Sequence, residues 1–169
     1  ILYLFNIILF DMIKAIVFDL NGVFLQSENL TDRLEIEYGI PVEESLKVLK
    51  ESLKEARLNS NVRVFEYWEK LFKKYDIEIT ESQFLNFWFS GERLVGDFVS
   101  LSKELREKGY AVYIFSNNFK ERTDYYRDNF QEMFDSVDNA FFSWETGYVK
   151  SDIKAYTNLI DNIKVKAEE

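Results

Sequence analysis

The segment Ile16–Phe24 reads IVFDLNGVF. An apolar run stops at Asp19, and the turn dipeptide Asn21-Gly22 follows almost at once. Asn-Gly between apolar runs is the strongest short-range hairpin signal, which would fold Phe18 back beside Phe24. The other reading is a buried strand whose carboxyl end presents Asp19 at the rim of a parallel sheet. A calcium loop begins in a similar way. Val23 and Phe24, however, stand where a further oxygen ligand and a glycine are needed, which removes that reading.

Ile13–Phe18 is short and rich in Ile, Val and Phe, the pattern of a strand buried on both faces, and Tyr110–Phe115 (YAVYIF) repeats it. Ala140–Phe142 is a weaker third strand. Between about Leu25 and Gly96 the pattern is that of four helices. SENLTDRLEIEYG ends at Gly39, in the place of a left-handed C′ residue. PVEESLKVLKESLKEARLN opens with Pro41, where a missing N–H costs nothing. NVRVFEYWEKLFKKYD sets Val64, Tyr67, Trp68, Leu71 and Phe72 on one helical face. TESQFLNFWFSG opens with Thr80 and Gln83 at capping-box spacing. DFVSLSKELREKG is a further helix closed by Gly109, and helical patterns return at about 120–129 and 152–162. Strands alternating with helices predict an α/β fold: a Rossmann-like parallel sheet with right-handed crossovers, and a helical insertion after the first strand.

A chain of 169 residues suits one domain, or one domain with an insertion. Hydrophobic residues at 47% and aromatics at 17% supply an ample core. The net charge of -9 and pI of about 4.7 argue against a nucleic-acid partner, because counterion release needs clustered Lys and Arg. There is no Cys, hence no disulfide frame, thiolate nucleophile or Cys-zinc site. There is no His, hence no Ser-His-Asp relay and no imidazole base. Catalysis is left to carboxylates, amines, hydroxyls, amides or a hard metal ion. The apolar start ILYLFNIILF is too short for a bilayer, which takes about 20 residues, and lacks the basic start of a signal peptide. No membrane partner is expected, and the cytoplasm is the default location. Residues 1–11 read either as a non-native or disordered extension ahead of a natural start at Met12, or as an extra edge strand.

In a parallel sheet, ligands sit beyond the carboxyl ends of the strands. After the first strand come Asp19, Leu20, Asn21 and Gly22; after the second, Ser116, Asn117 and Asn118; after the third, SWETGYVK delivers Lys150. Each has a plain structural reading. Asn21-Gly22 suits a turn, Ser116–Asn118 suits a helix cap, and Lys150 alone suits a solvated surface. Their conjunction, each just past a strand, gathers a carboxylate, a hydroxyl, two amides and an ammonium.

In these stretches the chain resembles the haloacid dehalogenase superfamily of hydrolases, from about Met12 to the end. IVFDLNGV is similar to the first motif of that family, VYIFSNN to the second and GYVKSDIKAY to the third. The 97 residues from Asp19 to Ser116 fit a helical cap between the first two. LREKGYAVYIFSNN and FFSWETGYVKSDIKAY are most similar to helical-cap phosphatases related to sugar-phosphate phosphatases and to the N-terminal domain of soluble epoxide hydrolases. The resemblance implies a core of residues 12–24 and 97–169 and a cap of residues 25–96. It implies a Mg²⁺-dependent phosphatase of a small phosphorylated metabolite, in which Asp19 attacks phosphorus and forms an aspartyl phosphate. Mg²⁺ would touch Asp19 and the backbone carbonyl of Asn21. Ser116 would hydrogen-bond a phosphoryl oxygen, backbone amides near Asn117 would add donors, and Lys150 would hold both Asp19 and the phosphate. Gly22 would let the chain turn sharply behind the nucleophile. A carboxylate attacks an anionic phosphoryl group poorly until charge is neutralised, hence the metal and the lysine.

Two departures from the family pattern stand out. Many of its phosphatases carry a second Asp, two residues after the nucleophile, which protonates the leaving alkoxide; here that place holds Asn21. An amide cannot give a proton and take it back, and such general acid–base help is worth roughly 10²–10⁴-fold. The fourth motif, an acidic pair after a further strand, has no match beyond Lys150. Asp152 and Asp161 belong to a helical pattern, and the chain stops at KVKAEE about where that strand should begin, as a truncated and weakly active fragment would. The proline often found after the lysine is replaced by Ser151, expected to cap the next helix. A dehalogenase using the same Asp without a metal, and a non-catalytic phospho-ligand binder, are the competing functions. Phe65, Trp68, Phe72, Phe84, Phe87 and Trp88 are expected in the core of the helical unit rather than in a ligand cage. Arg93 is expected as a solvent-exposed arginine, with an anion contact as its other reading.

Overall fold

The computed structural model of the protein describes residues 13–163, 165 and 166. Both readings of residues 1–11, and the start at Met12, lie outside the described residues. Strand β1 (Ala15–Phe18) leads to a short strand β2 (Leu25–Ser27) and then to helices α1 (Leu30–Tyr38), α2 (Val42–Ala56), α3 (Phe65–Lys74) and α4 (Glu81–Phe89). Strand β3 (Glu92–Leu94) returns to α5 (Gly96–Glu107), β4 (Ala111–Ser116), α6 (Lys120–Asn129), α7 (Gln131–Asp135), β5 (Asn139–Phe142), α8 (Ser143–Thr146) and α9 (Ile153–Ile163).

Strands β1, β4 and β5 form a parallel sheet in the order β1-β4-β5. Phe18 pairs with Ile114, and Ser116 with Phe142, so the three strands end at one rim. The hairpin reading of IVFDLNGVF is thereby settled: β1 lies parallel to β4, and Phe24 does not pair with it. The Asn-Gly turn instead steers the chain away. The Leu20 carbonyl accepts the Val23 and Leu25 N–H groups at 3.2 and 3.1 Å, and Gly22 sits at φ +83°, where a side chain would be strained.

Strand β4 is the spine. Side chains alternate across a strand, so Val112 and Ile114 enter a cluster with Leu20, Phe24, Tyr126, Met133 and Phe142 on one face. Phe115 joins Ala155, Leu159 and Ile163 of α9 on the other. Cover on both faces is why its sequence reads as an unbroken apolar run.

The helical insertion has its own core. Trp68, Phe72, Phe84 and Trp88 are buried together, with Phe65 and Phe87 packed against them, as expected. The capping box of Thr80 and Gln83 is formed, and Gly39 ends α1 in the left-handed conformation. Phe119, just past β4, inserts into this cluster and stacks near Trp88 at 5.2 Å. At α9 it is Asp152, not Ser151, whose side chain accepts a first-turn N–H, that of Lys154 at 2.9 Å.

Sequence periodicity missed the two ends of the insertion. Leu25–Ser27 and Glu92–Leu94 pair antiparallel as a two-stranded ribbon, Ser27 opposite Glu92. Three residues carry too little pattern to be read as strands. The ribbon is pinned to α6 by charge: Arg122 donates to Glu92 at 2.8 Å and to Ser27 at 2.8 Å, and the Ser27 hydroxyl donates to Glu92 at 2.6 Å. The Glu92 side chain is only 1% exposed and that of Arg122 12%. Removing one partner of a buried pair leaves the other charge uncompensated. Arg122→Met is therefore expected to cost about 3–5 kcal/mol in denaturant unfolding, and the double change Arg122→Met with Glu92→Leu to recover most of that.

Candidate active site

Asp19 is the first residue beyond β1, and its side chain is 50% exposed. Its Oδ1 accepts two donors, the Leu20 N–H at 2.8 Å and the Lys150 ammonium at 2.9 Å. Among the described residues no donor meets its Oδ2. Lys150 arrives from the turn after α8, with its ammonium 5.2 Å from the centre of the Phe115 ring. Its own N–H donates to the Asn117 side-chain oxygen at 2.8 Å. The amide of Asn117 thus fixes the loop that carries the lysine, a use of the side chain that sequence reasoning did not foresee.

Asn118 ties the same rim to β5. Its N–H donates to the Ser143 hydroxyl, and that hydroxyl donates back to the Asn118 carbonyl, both at 3.1 Å. Its side-chain oxygen accepts the next residue's N–H at 3.0 Å, and its Nδ2 is buried without a protein partner. Neither asparagine caps α6 in the ordinary way; the cap position is Phe119. Ser116, the last residue of β4, has a buried hydroxyl with no protein partner. An unsatisfied buried group costs about 1–3 kcal/mol, which a ligand oxygen would relieve.

The Asn21 side chain has a partner within the fold. Its side-chain oxygen accepts the Tyr126 hydroxyl at 3.2 Å. Tyr126 is fully buried, and burial pushes its phenol above the ordinary range, with the Arg122 charge opposing and Glu92 adding. It stays a donor, and it couples the turn behind Asp19 to the Arg122–Glu92 pair. Gly22 forms the turn itself. Arg93 is exposed and paired with Glu28, away from any anion role.

The donors available to a metal here are oxygens: the Asp19 carboxylate and the backbone carbonyls of the turn after it. Such a set suits a small hard cation that keeps its waters and is completed by substrate oxygens. Among the described residues no group of three or more acidic side chains gathers to hold a metal. The Asp19 carboxylate and the turn carbonyls are of the kind that would hold a hard cation such as Mg²⁺, with few protein ligands and the remainder from water.

A parallel sheet with its carboxylate, amides and ammonium on one rim, and a helical unit inserted after the first strand, places the chain among α/β proteins with a Rossmann-like core. Comparison with protein families gives the particular one: haloacid dehalogenase-like hydrolase, matched over residues 13–169, and the chain belongs to it. No curated protein matches the sequence. Among solved structures, a HAD family enzyme from Bacteroides thetaiotaomicron, in complex with magnesium and inorganic phosphate, superposes with TM-score 0.70 at 14% identity, covering 90% of this chain and 80% of that one. A HAD phosphatase from Thermococcus onnurineus gives TM-score 0.54 at 22% identity, covering 91% and 73%. A dehalogenase gives 0.62 at 19%, covering 92% and 74%. At such identities the likeness is one of fold. Among the described residues no helix is long and apolar enough to cross a membrane.

If Asn117 positions the lysine loop, Asn117→Ala is expected to lower stability by about 1 kcal/mol. It should also loosen Lys150 from Asp19, seen as a larger spread of the lysine side-chain resonance by NMR, while Asn117→Asp, which keeps the acceptor, should not.

Proposed function

We propose that this chain carries the site of a Mg²⁺-dependent phosphatase acting on a small phosphorylated metabolite, with Asp19 as nucleophile. The observation that carries this reading is the Asp19–Lys150 contact. One carboxylate oxygen is neutralised and aimed by the Leu20 N–H and the ammonium, and the other is free to attack. The HAD family enzyme solved with magnesium and inorganic phosphate adds support from a shared fold.

Asp19 Oδ2 attacks phosphorus in line with the leaving oxygen; the new O–P bond forms as the ester P–O bond breaks, giving an aspartyl phosphate. Lys150 holds the nucleophile and meets a phosphoryl oxygen as negative charge shifts toward it. The Ser116 hydroxyl donates to a second phosphoryl oxygen and so gains the partner it lacks. Preorganised donors of this kind are each worth about 3–4 kcal/mol in the transition state. Mg²⁺, held by Asp19 and the Asn21 carbonyl, would neutralise the phosphate and polarise it toward attack. Water then cleaves the aspartyl phosphate and regenerates the carboxylate. Asn21 supplies no proton, so the departing oxygen is protonated by solvent. The helical unit of residues 25–96, read as a cap, screens the rim from bulk water when closed.

Asp19→Asn should remove turnover of p-nitrophenyl phosphate with Mg²⁺ to below a thousandth, while the variant still binds phosphate; retained turnover would overturn the assignment. Asn21→Asp should raise turnover of poor leaving groups, by up to about 10²-fold, with little effect on p-nitrophenyl phosphate, whose phenolate leaves without a proton.

The second reading, a dehalogenase, draws on Asn21, which removes the proton donor a dehalogenase does without, and on the fold shared with a dehalogenase. Halide release from 2-chloropropionate that survives EDTA would select it. A non-catalytic phospho-ligand binder would bind phosphate without turning over any ester.

A further inference from the structure

The seven arginines of the chain divide unevenly. Six have a carboxylate within ion-pair reach: Arg33, Arg63, Arg93, Arg106, Arg122 and Arg127. Arg57 has none among the described residues, although the chain carries a net charge of -9. It is not simply solvated either. The residue is half-buried, and its Nε is fully buried and meets no acceptor. Burial, and then the nearby Arg122 guanidinium, lower its affinity for the proton. A desolvated cation beside a second cation is costly in a protein with this many spare carboxylates.

Its place in the fold gives the cost a use. Arg57 closes α2, and the segment after it crosses from the helical unit onto the catalytic rim. The Leu58 carbonyl comes to 4.0 Å from where a Cβ on Gly147 would stand, in the turn that leads to Lys150. The Val64 N–H donates to Glu121 in the first turn of α6 at 3.1 Å. Arg57 therefore lies at the seam between the helical unit and the strand ends, on the side of the lysine loop.

We propose that Arg57 is the substrate-recognition residue of the helical unit, and that the substrate carries a second anionic group, a carboxylate or a further phosphate, beyond the phosphoryl group that reacts. This deepens the phosphatase reading and rests on it. The planar guanidinium offers paired donors to such an anion, and the reacting phosphate is already provided for by Lys150 and Ser116.

The test uses the full chain with Mg²⁺, carrying Asp19→Asn throughout so that neither probe is turned over (wild type below meaning Arg57 intact), and two probes that differ only in the distal group, phosphoglycolate and 2-hydroxyethyl phosphate, with binding measured by calorimetry. The wild type is expected to prefer phosphoglycolate by about tenfold or more. Arg57→Met is expected to erase that preference, and Arg57→Lys to keep part of it. Arg57→Met is also expected to raise the Tm of the free protein, because an uncompensated charge leaves the seam; a fall in Tm would mean a structural role and overturn the proposal. Equal loss for both probes would assign Arg57 to the reacting phosphate, and no preference in the wild type would leave it without a ligand; either result overturns the inference alone. Glu121, whose Oε2 is also buried and unpaired, is the alternative partner. If Glu121→Gln abolishes the preference as fully as Arg57→Met, Arg57 serves closure of the seam and the inference falls. If neither probe binds, the phosphatase reading itself is overturned, and the inference with it.

Discussion

A parallel sheet covered on both faces leaves its polar side chains nowhere to go but the ends. Strand β4 packs Val112 and Ile114 against one layer and Phe115 against the other, so an ionised group within it would be desolvated at a cost of several kcal/mol. Charge is forced to the rim, where Phe18, Ser116 and Phe142 finish together. The rest of the candidate site follows from that constraint. Asp19 emerges where the register stops, and Lys150 crosses from the end of the third strand to meet it at 2.9 Å.

The rim is tied to the helical insertion by polar contacts as well as by aromatic packing. Phe119 reaches into the helical cluster, but the ribbon of β2 and β3 is held by the Ser27, Glu92 and Arg122 network. Tyr126 extends this network to Asn21, in the turn that follows Asp19. A buried ion pair contributes little net stability when complete and costs a great deal when broken. Here it joins the ribbon to α6, and Tyr126 carries the connection on to the turn after Asp19.

Asn21 shows how one residue answers to two demands. As a turn residue with Gly22 it suits the local backbone, and as an acceptor it satisfies a buried phenol that would otherwise lack a partner. An aspartate in its place would put a charge beside the buried Tyr126. The neutral amide meets both the turn and the phenol without adding a charge. Ser116 and Asn118 show the opposite imbalance, with buried polar atoms that find no partner among the described residues; such atoms are uncommon in folded proteins, and these two stand together at the strand ends.

Much of this was legible in the sequence because it rests on local signals. Unbroken apolar runs gave β1 and β4, helical spacing gave α1 to α4, and the residues just past each strand gave Asp19, Ser116, Asn117 and Lys150. The ribbon strands were missed because three residues carry no period, and the short helices α7 and α8 because one turn carries hardly more. Glu92, Arg122 and Tyr126 were missed for another reason. Nothing in their neighbours along the chain sets them apart from other charged or aromatic residues on helices and strands. Their importance comes from burial and from partners that only folding supplies. The sequence by itself determined which residues end each strand, because side-chain hydrophobicity and turn chemistry act over a few positions. Only the tertiary structure decided which polar groups are paired and which are left without a protein partner, and that Asn21 meets Tyr126, because desolvation and hydrogen-bond geometry are properties of neighbours in space.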